Sequence, residues 1–249
     1  MLGRLKSSLR SFRIYRAAAF VWHFACSQGF RRGFLLLWRR PENLFQYNPL
    51  TAANRYPRIF TFICERLAHG SSLRLLSFGC STGEEVFSLR TYFPGAFIKG
   101  IDINAANIAV CRDCHRRRGN DPAIEFEQNH SAAGEDANSY DAVFCMAVFQ
   151  RPQLRRDRMV ATCEPVLRFK DFERAVAGLA ACVRPGGYLV IRHSMFRFAD
   201  AECASGFRLI LSVPFTDVFS PRFGRDNRRL PDAVDEEVVF QKLAGLKIS

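Results

Sequence analysis

Two hydrophobic periods alternate along this chain from residue 58 onward. Ile59, Phe60, Ile63 and Leu67 recur at helical spacing and predict a helix over 58–68 that stops near Gly70. Short apolar runs then interleave with helical stretches. Strands are predicted at 73–78, 97–101, 124–127, 141–145 and 188–192, and helices at 84–91, 105–117 and 172–183. Strands separated by helices of this length imply βαβ units and a mainly parallel sheet. The run Tyr140 to Met146 suits a central strand buried on both faces. Beyond residue 194 the pattern changes. Two further strand candidates, 207–213 and 237–241, flank a polar segment with Gly224, Asp226, Asn227 and Pro231, which predicts an antiparallel excursion at one sheet edge. The expected fold is therefore α/β: a doubly wound, seven-stranded, mostly parallel sheet with an antiparallel C-terminal edge.

The first 57 residues do not share this rhythm. The opening forty hold nine Arg or Lys and no Asp or Glu, interleaved with Trp22, Phe24, Leu35, Leu36, Leu37 and Trp38. They predict a basic, aromatic-rich helical arm over 1–57, joined to a main domain over 58–249 that has length enough for one large core. The arm fits helices packed on that domain, a membrane-surface or protein-binding segment, or an organellar targeting segment. The formal net charge of +12 permits acidic partners, yet no nucleic-acid-binding motif accompanies it. Nine cysteines, an odd number without a dense framework, fit reduced thiols and a cytoplasmic location.

Chemistry concentrates in one run, Leu75 to Glu85. An apolar strand ends in the small-residue turn Gly79-Cys80-Ser81-Thr82-Gly83, and Glu84 and Glu85 open the next helix. Glycines in such a turn let backbone N–H groups approach a ligand. Asp102 ends the following strand, nineteen residues after Gly83, where a carboxylate can accept hydrogen bonds from ribose hydroxyls. The turn lacks the Lys-Ser/Thr of a P-loop and is not G-x-G-x-x-G. Two carboxylates at the helix start disfavour a pyrophosphate and suit an ammonium. The run therefore points to a nucleoside carrying an amino-acid-like tail.

These motifs resemble the class I S-adenosylmethionine-dependent methyltransferases. The form G-C-S-T-G-E-E at Gly79 to Glu85 is most similar to the chemotaxis-receptor glutamate methyltransferase variety. The resemblance implies a Rossmann-like domain with S-adenosyl-L-methionine as cofactor. It implies that Gly79, Cys80, Ser81, Thr82 and Gly83 wrap the methionine portion, helped by Glu84. It further implies that Asp102 and Ile103 meet the ribose, that Asn129 or His130 meets the adenine, and that Met146 lies on the fourth-strand motif. The N-terminal segment differs in character from that of the chemotaxis enzymes, and no receptor-docking insertion is evident. The acceptor is thus left open between a small molecule and a protein; the alternatives are a non-catalytic cofactor-binding or scaffold protein, and a protein-glutamate or RNA methyltransferase.

Methyl transfer from a sulfonium needs alignment more than acid–base chemistry. His193, directly after the fifth strand, is the candidate base. Phe149 and Gln150, past the fourth strand, are candidates to touch the acceptor, with Tyr47, Arg55 and Tyr56 as entrance residues. Cys145-Met146-Ala147-Val148 lacks the Asn/Asp-Pro-Pro-aromatic signature of many amino-directed nucleic-acid enzymes. Cys111-Arg112-Asp113-Cys114-His115 spells C-x-x-C-H, but it falls inside a predicted helix with no second ligand pair, so neither haem nor metal is expected.

Overall fold

A computed structural model describes residues 51–68, 70, 72–156, 160–164, 166–214, 221–231 and 234–244, together with 18, 21, 22, 24–27 and 44–46. The elements in order are α1 (Pro57–Leu67), β1 (Arg74–Phe78), α2 (Glu84–Tyr92), β2 (Phe97–Asp102), α3 (Ala105–Arg117), β3 (Ile124–Gln128), β4 (Tyr140–Met146), α4 (Pro152–Arg156), α5 (Phe169–Cys182), β5 (Val183–Arg192), β6 (Phe207–Pro214) and β7 (Asp235–Lys242). One seven-stranded sheet has the order β3-β2-β1-β4-β5-β7-β6. The first five strands are parallel, and β7 runs antiparallel to both β5 and β6. The expected sheet is present. The last strand, however, inserts between β5 and β6, so the penultimate strand forms the edge.

Successive side chains of a strand face opposite layers, and the two cores follow that rule. Leu75, Phe144 and Val190 turn toward α1, α2 and α3, where they join Ile59, Ile63, Val86, Leu89 and Ile108. Leu76, Val143 and Leu189 turn the other way, onto Phe172, Val176 and Leu179 of α5. Apolar residues on both faces explain why the β4 sequence shows no alternation. The α3 limits match the expected span because local signals set them. The Asn104 side chain accepts the Ala106 N–H at 3.0 Å, and His115, Arg116 and Arg117 complement the negative end of the helix dipole.

At Gly100, β2 comes close to side chains of both α2 and β3. A Cβ there would stand 2.9 Å from both Val86 Cγ2 and Phe126 Cδ1. Gly100→Val is therefore expected to lower unfolding stability by about 1–3 kcal/mol through overpacking, read as a reduced urea midpoint at constant slope.

Within the span assigned to an appended arm, residues 44–46 and 51–56 lie against the sheet's carboxyl edge. Arg151 donates to the Leu44 carbonyl, and Phe45 packs edge-on against Phe149 at 4.9 Å. The Asn54 N–H bonds Ser88 Oγ at 2.8 Å, while Tyr92 O–H donates to the Asn54 side chain at 2.9 Å. These contacts make both pieces a strap over the strand ends. No helix among the described residues is long and apolar enough to cross a membrane. All nine cysteines are free.

Candidate functional site

A cleft opens where the carboxyl ends of β1, β2 and β4 meet, the position that a doubly wound sheet reserves for ligands. Its floor is Gly79, Cys80 and Ser81 after β1, then Asp102, Ile103 and Asn104 after β2. Met146, Ala147 and Val148 form a second wall, and Asn129 with His130 closes one end. Gln46, Arg55 and Tyr56 of the strap roof it.

The β1 turn is held open by backbone geometry. Gly79 has φ +76°, and a Cβ on it would fall 2.4 Å from Val148 Cγ2. Ser81 takes φ +53°, a conformation fixed from two sides. Its N–H donates to Asp102 Oδ2 at 2.9 Å, and its carbonyl accepts the Cys111 thiol at 3.2 Å. Cys111 is thus core, and it braces the turn from α3. Gly83, at φ +96°, serves packing: a Cβ there would crowd Phe87 at 3.0 Å and the Cys111 sulfur at 3.3 Å.

Asp102 is 7% exposed, and burial pushes its carboxyl up to about 6 against the pull of its hydrogen bonds. Oδ2 accepts from Ser81; Oδ1 accepts the Asn104 N–H at 2.8 Å and the Asn107 amide at 3.2 Å. A carboxylate has roughly four lone-pair sites, so these bonds leave one. The Asn107 Oδ1 beside it is buried without a partner. Asp102 and Asn107 together present the two neighbouring acceptors that a vicinal diol requires. Sequence reasoning missed Asn107, whose place five residues after Asp102 in the first turns of α3 was the available signal.

Glu85 was also missed as a wall residue. It retains partial exposure at the cleft, yet protein atoms surround its carboxylate, which burial pushes up to about 7. The Ser77 hydroxyl donates to it at 2.7 Å, and the positive charge of Arg55 pulls its pKa back down. Thr82 and Glu84, by contrast, bond to each other at 2.7 Å and do not line the cleft. An α-helix turns about 100° per residue, so adjacent carboxylates on α2 cannot share one target.

The remaining expected residues divide. Asn129 and His130 line the cleft, and the Asn129 amide oxygen caps its own turn by accepting the His130 and Ser131 N–H groups. Gln150 lines it as well. Phe149 points away, into edge-on contacts with Phe45 and Phe172, both at 4.9 Å. His193 stands outside the cleft. At φ +53° its backbone N–H turns onto the buried Glu236, and its ring contacts Tyr56 at 5.7 Å. Tyr47 lies outside the described residues. In the C-x-x-C-H run the His115 ring bonds the Asp121 carbonyl at 3.0 Å, and among the described residues no cluster suits a metal ion.

Four buried polar atoms without a partner sit on residues of this one cleft: Tyr56 Oη, Ser81 Oγ, Asn107 Oδ1 and Gln150 Oε1. Each orphan costs about 1–3 kcal/mol in an empty protein, and a ligand can repay it.

Residues 76–189 match the family model described as a methyltransferase domain. The chain is similar to the YcgJ protein from Bacillus subtilis, at 11% identity over 76% of this chain and 100% of that one, with a TM-score of 0.50. It is also similar to the [4+2]-cyclase SpnF, at 24% identity over 63% of this chain and 59% of that one (TM-score 0.42). Geranyl diphosphate C-methyltransferase from Streptomyces coelicolor matches at 14% identity over 54% of this chain and 43% of that one, with a TM-score of 0.40. No curated protein matches. The strand order is Rossmann-like, in keeping with the methyltransferase-domain model that matches residues 76–189, and no match singles out the chemotaxis variety.

Proposed function

We propose that this protein is an S-adenosylmethionine-dependent methyltransferase. The observation that carries the reading is the cleft itself. One end offers a diol-accepting pair, Asp102 and Asn107. Toward the other stand the opposite charges of Glu85 and Arg55, beside the open turn at Gly79. The separation of functions fits an adenosine with a zwitterionic amino-acid tail. Asp102 and Asn107 would take the ribose, with Ile103, Asn129 and His130 around the base. The Gly79–Ser81 backbone and Glu85 would hold the tail's ammonium end, and Arg55 its carboxylate. Met146 and Val148 would pack against the middle. Thr82, Gly83 and Glu84 would support this loop from behind.

When bound, the cofactor supplies an electrophilic methyl group on a sulfonium. The protein's own part is to fix the donor, exclude water beneath the strap and align an acceptor for in-line attack. His193 has the position of a residue that acts through Tyr56, which it contacts, rather than on an acceptor. The likeness of Gly79–Glu85 to the chemotaxis loop bears on donor binding and names no acceptor.

Isothermal titration with S-adenosylmethionine and S-adenosylhomocysteine tests the proposal. Saturable binding of both is expected. Absence of heat and of any thermal shift with either ligand would sink it.

A further inference from the structure

Two thiols meet on one oxygen at the floor of the cleft. Cys80 lines the cleft and is 2% exposed, whereas Cys111, on α3, is 0% exposed and does not line it. The Ser81 carbonyl accepts from Cys111 Sγ at 3.2 Å and from Cys80 Sγ at 3.9 Å. The two side chains also hydrogen-bond to each other, and both thiols are free. Sulfurs in such contact need to close by only about 2 Å to reach the ~2.05 Å of a disulfide. The proposed donor meets the backbone of this turn, which leaves the thiols themselves without a part in methyl transfer.

Closure of the pair would change the turn. A disulfide carries no S–H, so the Ser81 carbonyl loses both thiol donors whatever path the sulfurs take. Ser81 stands at φ +53°, held at its N–H by Asp102 Oδ2 at 2.9 Å and at its carbonyl by these thiols. Loss of the second hold loosens the residue whose N–H orients the Asp102 carboxylate. One covalent change thereby reaches the methionine end and the ribose end of the donor site together.

We infer that Cys80 and Cys111 form a peroxide-sensitive dithiol whose oxidation to a disulfide weakens donor binding; the effect on the donor rests on the methyltransferase reading above, and the thiol pair stands without it. The Cys80 sulfur attacks one oxygen of hydrogen peroxide, the O–O bond breaks, and the departing hydroxide takes up the Cys80 proton and leaves as water. The Cys111 sulfur then attacks the sulfenic sulfur of Cys80. The S–O bond breaks, and its hydroxide leaves with the Cys111 proton as a second water. The two thiols give up two electrons, and one peroxide becomes two waters. Burial, then Cys111 and the carboxylates of Asp102 and Glu85, raise the Cys80 thiol well above its usual pKa. Thiolate is scarce at neutral pH, so closure is slow and answers sustained peroxide rather than traces.

The test treats the reduced, ligand-free full chain with a hydrogen peroxide series at pH 8.5. Free thiols are then alkylated, and the digest is mapped without reduction by mass spectrometry. A peptide pair joining Cys80 to Cys111 is expected. S-adenosylhomocysteine titration of the same samples should show Kd rising by roughly 10-fold or more in the cross-linked protein. Cross-linked fraction and loss of affinity should grow together along the series, and dithiothreitol should reverse both. Cys111→Ser, compared with its own reduced state, should keep its Kd through the treatment. The parent series decides the matter even where that variant does not fold. Failure of the reduced parent to bind S-adenosylhomocysteine would sink the methyltransferase reading alone, since the peptide map needs no donor. Oxygen added to Cys80 without a cross-link overturns the inference. So does a cross-linked protein that binds as tightly as the reduced one, or a Cys111→Ser variant that loses affinity as the parent does.

Discussion

Asp102→Ala is expected to weaken S-adenosylhomocysteine binding by at least ~100-fold, while Asn107→Leu weakens it by roughly 10-fold. The magnitudes follow from counting bonds. A hydrogen bond to an ionised acceptor contributes about 1.5–3 kcal/mol, and one to a neutral amide about half that. Loss of Asp102 removes its ribose contact and also strands the Ser81 and Asn104 N–H groups that it organises. The Ser81 backbone loses the partner that helps hold φ +53°, so the damage spreads from the ribose to the methionine end of the cleft. Asn107→Leu keeps the Ser81 and Asn104 contacts of Asp102 and removes one ribose acceptor together with the amide donor to Asp102 Oδ1. Titration calorimetry of the two variants, beside thermal unfolding of each without ligand, separates the contributions. Equal and small losses of affinity would show that the carboxylate is a loop brace only. A large loss for Asp102 with none for Asn107 would reject the shared diol and leave the carboxylate as the sole acceptor.

The sheet was legible because its signals are local or periodic. Asn104 caps α3 and three basic side chains end it, so both limits of that helix could be read from composition alone. The β1 turn was legible for a different reason: the backbone conformations at Gly79 and Gly83 restrict the residues that can occupy them. The rest depends on which way side chains point after chain segments meet. Glu84 and Glu85 are equivalent in sequence, and only the pitch of α2 directs one to Thr82 and the other to Ser77 and the cleft. Phe149 and Gln150 are adjacent after β4, yet one completes an aromatic core and the other faces the cleft. His193 lies where a parallel strand ends, but the insertion of β7 beside β5 brings Glu236 to its backbone N–H and draws it off the site. Arg55 and Tyr56 were expected at the entrance, but the contacts that tie the strap down are distant in sequence, Leu44 to Arg151 and Asn54 to Ser88, and no periodicity encodes them.

Substitution of Glu85 is expected to have two opposed effects in one experiment. Its carboxyl titrates near 7 in the folded protein because burial disfavours the charge more than Ser77 and Arg55 favour it. A folded-state pKa raised above the ordinary carboxylate value means that the proton is held more tightly in the native state. The associated stability is present at acid pH and is lost as pH rises through about 7. At pH 8 the ionised group destabilises the ligand-free protein by up to about 3 kcal/mol, less whatever cleft water screens. Glu85→Gln keeps an oxygen for Ser77 and removes the charge. The ligand-free variant should therefore melt several degrees above the parent at pH 8, and the difference should vanish below about pH 4.5. Ligand binding should move the other way. If the carboxylate receives an ammonium, affinity in the parent requires the ionised form and falls by roughly 30-fold between pH 8 and pH 5.5. Titration of Asp102 near 6 adds a smaller step in the same direction. Glu85→Gln should bind S-adenosylhomocysteine at least ~10-fold more weakly at pH 8 and retain only the Asp102 step in its pH profile. A variant that is stabilised, binds as tightly as the parent and keeps the full pH dependence would remove Glu85 from the donor site. A variant both stabilised and crippled in binding would identify the buried charge as a strain that the fold sustains for its ligand.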